Sequence, residues 1–293
     1  MSSSTARSYE RRFRDVLEYI ESHLDEDLSV ERLSQVAAFS KHHFHRQWVA
    51  LLGLGVLEYV RLVRFKRASF QLAFHDHLRV LDIALASGYE SHEAFTRAFK
   101  KFVGQTPMRF REHPDWQHWH DTWHRLRTVR LAHLRPRPEP VAIVQLPATT
   151  VAAFEHRGDP RRLGESLRTF IAWRRAHALP PSVSATYNIV YDDLDSVAPE
   201  NFRFDLCVAI TAPLATTCAP LVAKTIPGGR HAKLRHIGSD DTLRDAVAHL
   251  YATWLPASGE EPADVPLFFQ RVVFFPGVPE HEAVTDVFVP LVS

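Results

Sequence analysis

The chain has 293 residues, of which 45% are hydrophobic, and its formal net charge at pH 7 is +1. This length fits two domains of about 100–200 residues each, and the apolar content excludes a disordered chain. No apolar run approaches the roughly 18 residues of a membrane span, and the first residues hold no apolar signal segment, so we expect no membrane contact and a cytoplasmic protein. Two cysteines, Cys207 and Cys218, are too few for a disulfide scaffold and indicate a reducing compartment.

The charge is divided unevenly along the chain. Residues 1–137 hold 22 Lys and Arg against 16 Asp and Glu, whereas residues 138–293 hold 13 against 18. A basic half joined to an acidic half indicates one module that binds a polyanion and a second module with another task. Surface variation without a function would give the same imbalance, so the charge alone does not decide.

The first half has helical periodicity almost throughout. A first apolar helix face is predicted by residues at three- and four-residue spacing, namely Phe13, Val16, Leu17 and Ile20. Ser29 is the predicted N-cap of the next helix. Pro107 is the first proline of the chain, as a helical domain requires, because proline removes a backbone donor. A further helix is predicted over residues 116–134.

Prolines at every second position then predict a short, stiff linker that ends at Pro140. Strands and helices mix after this linker. Alternating or continuous apolar runs predict strands over 141–146, 149–154, 202–210, 231–236, 268–275 and 285–289. Helical spacing predicts helices over 163–177 and 242–254. The second half is therefore expected to be α+β.

The first half contains an internal duplication. Residues 28–39 align with residues 78–89 at an offset of 50, and the alignment continues at an offset of 51. Phe44 then matches Phe95, Trp48 matches Phe99, and Arg46 matches Arg97, so we expect the aromatic residues in the core. In each copy a short helix ends at a small residue, Ala38 or Gly88, and a tight turn leads to a helix that begins with polar side chains. This is the order of elements in a helix-turn-helix, although a plain helical hairpin repeat would also produce it.

Residues 9–111 resemble the tandem helix-turn-helix domain of the AraC/XylS family of bacterial transcription regulators. Two stretches carry the resemblance, SVERLSQVAAFSKHHFHRQW and VLDIALASGYESHEAFTRAFKKFVGQTPMRFR. The sequence departs from the family at Ala38, where members often have Gly. The resemblance implies that one monomer places two recognition helices in successive major grooves of double-stranded DNA.

The start of each second helix supplies the residues that we expect to contact DNA. They are Ser40, Lys41, His42, His45 and Arg46 in the first copy, and Ser91, His92, Glu93, Thr96, Arg97 and Lys100 in the second. Arginine binds guanine O6 and N7 in a bidentate way, and glutamate accepts from cytosine N4. The lysines are expected to bind phosphates, which position the protein without specifying sequence.

Histidines and tryptophans cluster between residues 113 and 124. The spacing of His120 and His124 would place two zinc or nickel ligands on one helix face. Tryptophans at helical spacing in the same segment favour a packing stripe instead, on an amphipathic helix that docks one domain on the other. We therefore expect no metal and no other cofactor, with the metal site as the alternative.

Residues 141–292 resemble the gyrase-inhibitor-like small-molecule-binding domain, which occurs fused to AraC-type domains. The carrying pieces are Phe202–Val208, Ile226–Gly238, Leu250–Pro256 and Asp286–Pro290. The resemblance implies a duplicated strand–helix–strand–strand fold with an effector in the cleft between its halves. Aromatic and polar residues that could line this cleft are Trp173, Tyr187, Tyr191, Trp254, Phe269 and Gln270.

One departure concerns the penultimate strand. Many relatives carry a glutamate that faces the ligand there, and Phe269 or Gln270 occupies its place here. This loss makes a cationic ligand doubtful, favours a neutral or acidic ligand, and argues against catalysis, because some relatives are hydrolases that need the carboxylate. Only Glu155, Asp205, Tyr187 and Tyr191 could assist chemistry, and only if the fold brings them together.

The sequence thus predicts a multidomain chain, with an all-α tandem helix-turn-helix domain followed by an α+β gyrase-inhibitor-like domain. The expected bounds are 1–112 for the DNA-binding domain, 113–140 for a helical connector and linker, and 141–293 for the effector-binding domain. We expect a sequence-specific transcription regulator, not an enzyme, that binds double-stranded DNA and a small-molecule effector and contacts RNA polymerase. The alternatives are a gyrase-inhibitor-like hydrolase, or a protein-interaction domain, with a DNA-binding appendage.

Overall fold

The computed structural model describes residues 2–134, 139–193, 196–212 and 220–292. The chain forms two compact units. Unit 1 comprises residues 1–135 together with 279–281, and unit 2 comprises 136–278 and 282–293. The prolines of the predicted linker up to Pro138, and Cys218, lie outside the described residues. None of the described helices combines the length and the apolar character that crossing a membrane would need.

The regular elements in the described part of unit 1 are all helices. Its helices are α1 (Ser2–Ser22), α2 (Val30–Val36), α3 (Lys41–Leu52), α4 (Val56–Phe74), α5 (Val80–Ala86), α6 (His92–Val103), α7 (Pro107–Glu112) and α8 (Trp116–His133). The predicted apolar face of α1 is buried, and Ser29 is the N-cap of α2, where its side chain accepts a hydrogen bond from the Arg32 amide. Both predictions are therefore confirmed.

The core of unit 1 is rich in aromatic side chains. The matched pairs Phe44 and Phe95, and Trp48 and Phe99, have no exposed surface, which confirms their predicted place in the core. Phe65 of α4 packs against Phe95 and Phe99 with ring centroids 6.0 and 5.6 Å apart. The tryptophans of α8 join the same core, so the predicted packing stripe is real: Trp116, Trp119 and Trp123.

Unit 2 contains an antiparallel eight-stranded sheet in the order β1-β6-β8-β7-β3-β4-β2-β5. The strands are β1 (Ala142–Leu146), β2 (Thr149–Arg157), β3 (Thr186–Val190), β4 (Arg203–Ala209), β5 (Leu221–Ile226), β6 (Gly229–Ile237), β7 (Leu267–Val273) and β8 (Val284–Pro290). Six of them were expected from the sequence. The other two, β3 and β5, are additions that the apolar pattern did not reveal.

The helices of unit 2 pack on one face of this sheet. They are α9 (Leu163–Ala176), α10 (Leu243–His249) and α11 (Leu255–Ser258). The helix predicted over 242–254 is thus divided, because a π-helical turn, Leu250–Trp254, joins α10 to α11. The core on this face combines strand and helix residues, such as Leu206, Leu234 and Val287 with Phe170 and Leu250.

Unit 2 is a duplication, as the resemblance implied. The segment β2, a 3₁₀ turn and α9 recurs at an offset of 80 residues as β6, a 3₁₀ turn and α10. Strand β4 recurs at an offset of 81 as β8, so Asp205 of β4 corresponds to Asp286 of β8.

Candidate nucleic-acid interface and small-molecule site

Helices α3 and α6 are built alike. Each begins at a serine N-cap, since the Ser40 side chain accepts from the His43 amide and the Ser91 side chain from the Ala94 amide. Each ends at a glycine in the left-handed conformation, Gly53 or Gly104. The two serines that we expect at the DNA therefore also fix where the recognition helices start.

The turns before these helices differ in length by one residue and in the residue that adopts a positive φ. Gly88 adopts a φ of 80°, and Ala38 adopts a φ of 52° although it carries a Cβ. A Cβ on Gly88 would lie 2.5 Å from a guanidinium nitrogen of Arg64. Arg64 donates to the carbonyl oxygens of Leu24 and Glu26 at 2.9 and 2.7 Å. Glycine at position 88 therefore leaves room for a side chain that ties α4 to the loop after α1.

The predicted DNA contacts of α3 are on its exposed surface. All five are exposed: Ser40, Lys41, His42, His45 and Arg46. Arg46 has no hydrogen-bonded or ion-paired partner among the described residues, so its guanidinium is open to a base edge. Lys41 is ion-paired with Glu31 of α2, and this pair must rearrange before Lys41 binds a phosphate.

The predicted contacts of α6 are more varied. Glu93, Arg97 and Lys100 are exposed, whereas Ser91, His92 and Thr96 are half-buried. The Thr96 hydroxyl oxygen is buried and has no hydrogen-bond partner within the described residues, so it lies away from solvent in this conformation. Hydrogen bonds from its own amide and from Ser91 lower the pKa of Glu93, which keeps this carboxylate charged at the positive end of α6.

The six predicted effector residues divide between the two faces of the sheet in unit 2. Trp173 and Phe269 are buried in the helix-facing core, and Trp254 packs against it. Tyr187 and Tyr191 pack against a cluster on the opposite side of the sheet, and this cluster contains no residue of α9 or α10. We call this side the helix-free face. Its buried residues are Val151, Ala153, Ile189, Cys207, Ile226, Phe268 and Phe288. Gln270 is in register with Tyr187 of β3 and Asp286 of β8. Because side chains alternate along a strand, Gln270 shares the helix-free face and Phe269 does not.

Three of the residues named for possible chemistry do converge on this face. Tyr191 donates to Asp205 at 2.8 Å, and Lys224 donates to Asp205 at 2.6 Å and to Glu155 at 2.5 Å. Arg157 also binds Asp205 at 3.0 Å, and Asp205 has no exposed surface. Burial raises the pKa of Tyr191, and the hydrogen bond to Asp205 adds to this rise. The group is thus a closed ion-pair network around a protonated tyrosine.

The corresponding carboxylate in the second half, Asp286, is also paired with cationic side chains. Arg235 binds it through two hydrogen bonds of 2.7 and 2.9 Å, and Lys233 binds it at 2.8 Å. Burial raises the pKa of Asp286, but the hydrogen bonds from Arg235 and Lys233 outweigh burial and leave it lowered. Lys224, Lys233 and Arg235 were not predicted from the sequence, although cations at every second position of β6 are a signal for such a cluster.

A pocket of about 470 Å³ lies at the start of α9 and includes His156, Arg162, Ser166 and Glu200. The Nδ1 atom of His156 is 2.8 Å from the Ser166 hydroxyl. Burial lowers the pKa of His156, as it does for His236 at the matching position of the second half. The repeated His-x-Gly sequence at residues 156 and 236 would have revealed this correspondence. Among the described residues, no group of three or more His, Cys, Asp or Glu side chains could hold a metal ion.

Comparison with known proteins assigns a family to each unit. Residues 139–292, more than half of the chain, match the GyrI-like small molecule binding domain, and residues 33–113 match a Helix-turn-helix domain. The chain is 37% identical over 152 residues to the probable transcriptional regulator YgiV of Escherichia coli strain K12, a match that covers 52% of this chain and 95% of YgiV. It is 44% identical over 103 residues to the uncharacterized HTH-type transcriptional regulator YbfP of Bacillus subtilis strain 168, over 35% of each chain.

Among solved structures, the chain is similar to the cryo-EM structure of an EcmrR–DNA complex. The match covers 89% of this chain and 98% of the EcmrR chain, with 14% sequence identity and a TM-score of 0.44. The family matches follow the division into units seen in the fold. The chain belongs to the GyrI-like small molecule binding domain family and carries an AraC-type helix-turn-helix domain ahead of that domain.

Proposed function

We propose that the protein is a one-component transcription regulator. Unit 1 binds operator DNA through α3 and α6 in successive major grooves, and unit 2 binds a small molecule that changes this affinity or the contact with RNA polymerase. Such a regulator works in the bacterial cytoplasm, where its operator is. The observation that carries the proposal is the pair of equally capped helices with exposed arginines at matching positions, Arg46 and Arg97, neither of which has an ion-pair partner in the part of the chain that the structure describes.

Two relatives support the proposal by their names. Both YgiV and YbfP are called transcriptional regulators, and they match 152 and 103 residues of this chain. Coupling between the units requires that the ligand favour one of two states of the protein that differ in DNA affinity.

Fluorescence-anisotropy titration of the full chain with its own upstream DNA tests the proposal. A scrambled duplex is the competitor, and the salt concentration is varied. A preference of about a thousandfold for the upstream DNA is the result expected of a sequence-specific regulator. Equal binding to both duplexes, with and without candidate effectors, would contradict it. Arg161→Ala in unit 2 is a charge-matched control that should leave DNA binding unchanged.

We also infer that unit 2 binds its ligand without converting it. The carboxylates nearest to Tyr191 are held by Lys224 and Arg157, and a tyrosine with a raised pKa is a poor nucleophile at neutral pH. Incubation with activated esters and epoxides tests this inference. Turnover by the wild-type chain that disappears in Tyr191→Phe would establish the hydrolase alternative instead.

A further inference from the structure

The helix-free face of unit 2 offers a ligand very few free carboxylate oxygens. In the second half, both oxygens of Asp286 accept from Arg235, and one also accepts from Lys233. In the first half, the buried Asp205 is held by Arg157, Lys224 and Tyr191. A cationic ligand would have to break one of these pairs, and removing a cation from a buried carboxylate is strongly unfavourable because the charge is left uncompensated.

The donors on this face are less fully used. The Lys233 side chain is 29% exposed, and among the described residues its ammonium has one hydrogen-bonding partner, Asp286, for its three N–H groups. Gln270 and Tyr187 stand beside Asp286 in register across β8, β7 and β3, and neither has a side-chain hydrogen-bond partner among the described residues. Lys233 lies 5.8 Å from the centroid of the Phe288 ring, so its ammonium is next to an aromatic surface.

A buried acceptor lies next to the same aromatic surface. The Nδ1 atom of His231 is 2.9 Å from the Gly229 carbonyl oxygen, which only accepts, so Nδ1 carries the proton and Nε2 carries the lone pair. His231 is 1% exposed, and its Nε2 has no hydrogen-bond partner in the described parts of the chain. Its ring meets Phe268 and Phe288 edge-on, with centroids 5.4 and 6.4 Å apart. A buried acceptor left unpaired is costly, and Nε2 has no accessible surface in this conformation, so a ligand donor pairs with it only after the ring of Phe268 or Phe288 moves aside.

We propose that unit 2 binds an aromatic carboxylate that carries a hydroxyl group, an inference that rests on the proposed ligand-sensing function. The carboxylate binds Lys233, the ring packs near Phe268, Phe288 and Tyr187, and the hydroxyl donates to Nε2 of His231. Lys233 and His231 are two residues apart on β6, so they share a face and their backbones are about 6.6 Å apart. A ring that carries the two groups in para positions is the simplest ligand of this class.

Three probes with the same ring and hydroxyl but different charge test the proposal: 4-hydroxybenzoate, 4-hydroxybenzamide and 4-hydroxybenzylammonium. Ligand-detected NMR titration of the full chain measures their dissociation constants. We expect the benzoate to bind about tenfold or more tightly than the ammonium, with the amide between them. Benzoate without the hydroxyl should bind several-fold more weakly than 4-hydroxybenzoate, because Nε2 of His231 then stays unpaired.

Two isosteric variants separate the face from a general charge effect. Gln270→Glu places a negative charge beside Asp286, where it attracts Lys233, and should weaken 4-hydroxybenzoate about tenfold. Gln145→Glu adds the same charge on β1 and should have no effect on binding. Val144 is the strand partner of His231, so the exposed Gln145 next to it lies on the other face of the sheet. Lys233→Gln should weaken the benzoate and spare the amide, since Arg235 still holds Asp286.

Tighter binding of the ammonium, equal effects of the two glutamate variants, or no binding of any probe at about 10 mM would each overturn the ligand class. The regulatory proposal is judged separately by the DNA titration. A cation that binds unit 2 and changes the affinity for upstream DNA would refute the ligand class and leave the regulator. Binding of 4-hydroxybenzoate without any preference for upstream DNA would refute the regulator and leave the ligand class.

Discussion

The two helix-turn-helix copies of unit 1 share their backbone features and differ in their surfaces. Both second helices start at a serine cap, end at a left-handed glycine and bury aromatic residues at the same two positions. The exposed residues have diverged, from His42 and Val49 in α3 to Glu93 and Lys100 in α6. Packing and capping are demands of the fold and are therefore alike in the two copies. The exposed residues do not contribute to packing or capping. If each helix binds a different stretch of DNA, as we propose, this difference accounts for their divergence.

The two turns differ in the arginine side chain that lies against the backbone of the turn residue. At Gly88 the missing Cβ admits the Arg64 guanidinium, whereas the carbonyl oxygen of Ala38 accepts a hydrogen bond from Arg12 at 3.3 Å. The second turn is therefore tied to α4, and the first turn to α1. The copies should respond in opposite directions when their turn residues are exchanged.

The largest effect is expected from the shared core position. Phe99→Ala should lower the free energy of unfolding by about 3–5 kcal/mol, because Phe99 has no exposed surface and packs against Phe65, Phe95 and Phe110. Urea denaturation followed by tryptophan fluorescence measures it, since four of the six tryptophans are in unit 1. Leu85→Ala, at a position 54% exposed, is the control and should change stability by less than about 0.5 kcal/mol. Similar losses for both variants would contradict the burial of Phe99.

The second turn should tolerate a Cβ poorly. Gly88→Ala should destabilise the chain by about 2–3 kcal/mol, because alanine is strained at a φ of 80° and its Cβ would displace Arg64. Gly53→Ala separates the two causes, since Gly53 has a φ of 70° and nothing within 4 Å of its Cβ position. It should cost only about 1 kcal/mol. Equal losses at the two glycines would mean that Arg64 adjusts freely.

The exposed arginine of the second copy should act on DNA and not on stability. Arg97→Ala should cost about 1–3 kcal/mol at the preferred duplex and relax specificity at one base pair, because its guanidinium has no ion-paired partner among the described residues. Anisotropy titration with single-base variants of the duplex measures it. Lys100→Ala is the matched comparison and should weaken all duplexes alike. Equal losses for Arg97→Ala on the preferred and scrambled duplexes would refute base reading.

Unit 1 was more predictable from sequence than unit 2 because its signals are local. Apolar spacing and capping serines fix α1, α2, α3 and α6 within short windows. Strand β3 was missed because its central Asn188 opposes a strand prediction, and its partners are distant. The Asn188 side chain donates to the Asp205 carbonyl oxygen at 3.4 Å and accepts from Arg271 at 2.9 Å. Strand β5 was missed because it has mixed burial and lies at the edge of the described sheet, where its neighbour is β2.

The candidate ligand site shows the same limit of local information. Its aromatic residues could be named from sequence, but their division between two faces depends on sheet register. Phe269 and Gln270 were equivalent alternatives until the pairing of Gln270 with Tyr187 and Asp286 placed Gln270 on the helix-free face. The cations that close Asp205 and Asp286 come from strands far along the chain, such as Lys224 of β5. No spacing rule connects such residues before the sheet is known.

The smallest effect, and the one of opposite sign, is expected at the first turn. Ala38→Gly should stabilise the chain by about 0.5–1 kcal/mol: an L-residue in the left-handed region costs about 1–2 kcal/mol, and the extra freedom of glycine in the unfolded chain returns part of that gain. The Arg12 bond to the Ala38 carbonyl does not involve the Cβ and should survive. Urea denaturation of Ala38→Gly and Gly88→Ala side by side gives the sign of each change. Destabilisation by both would show that each turn has adapted to its own residue, so that the two copies are no longer interchangeable even where their backbones agree.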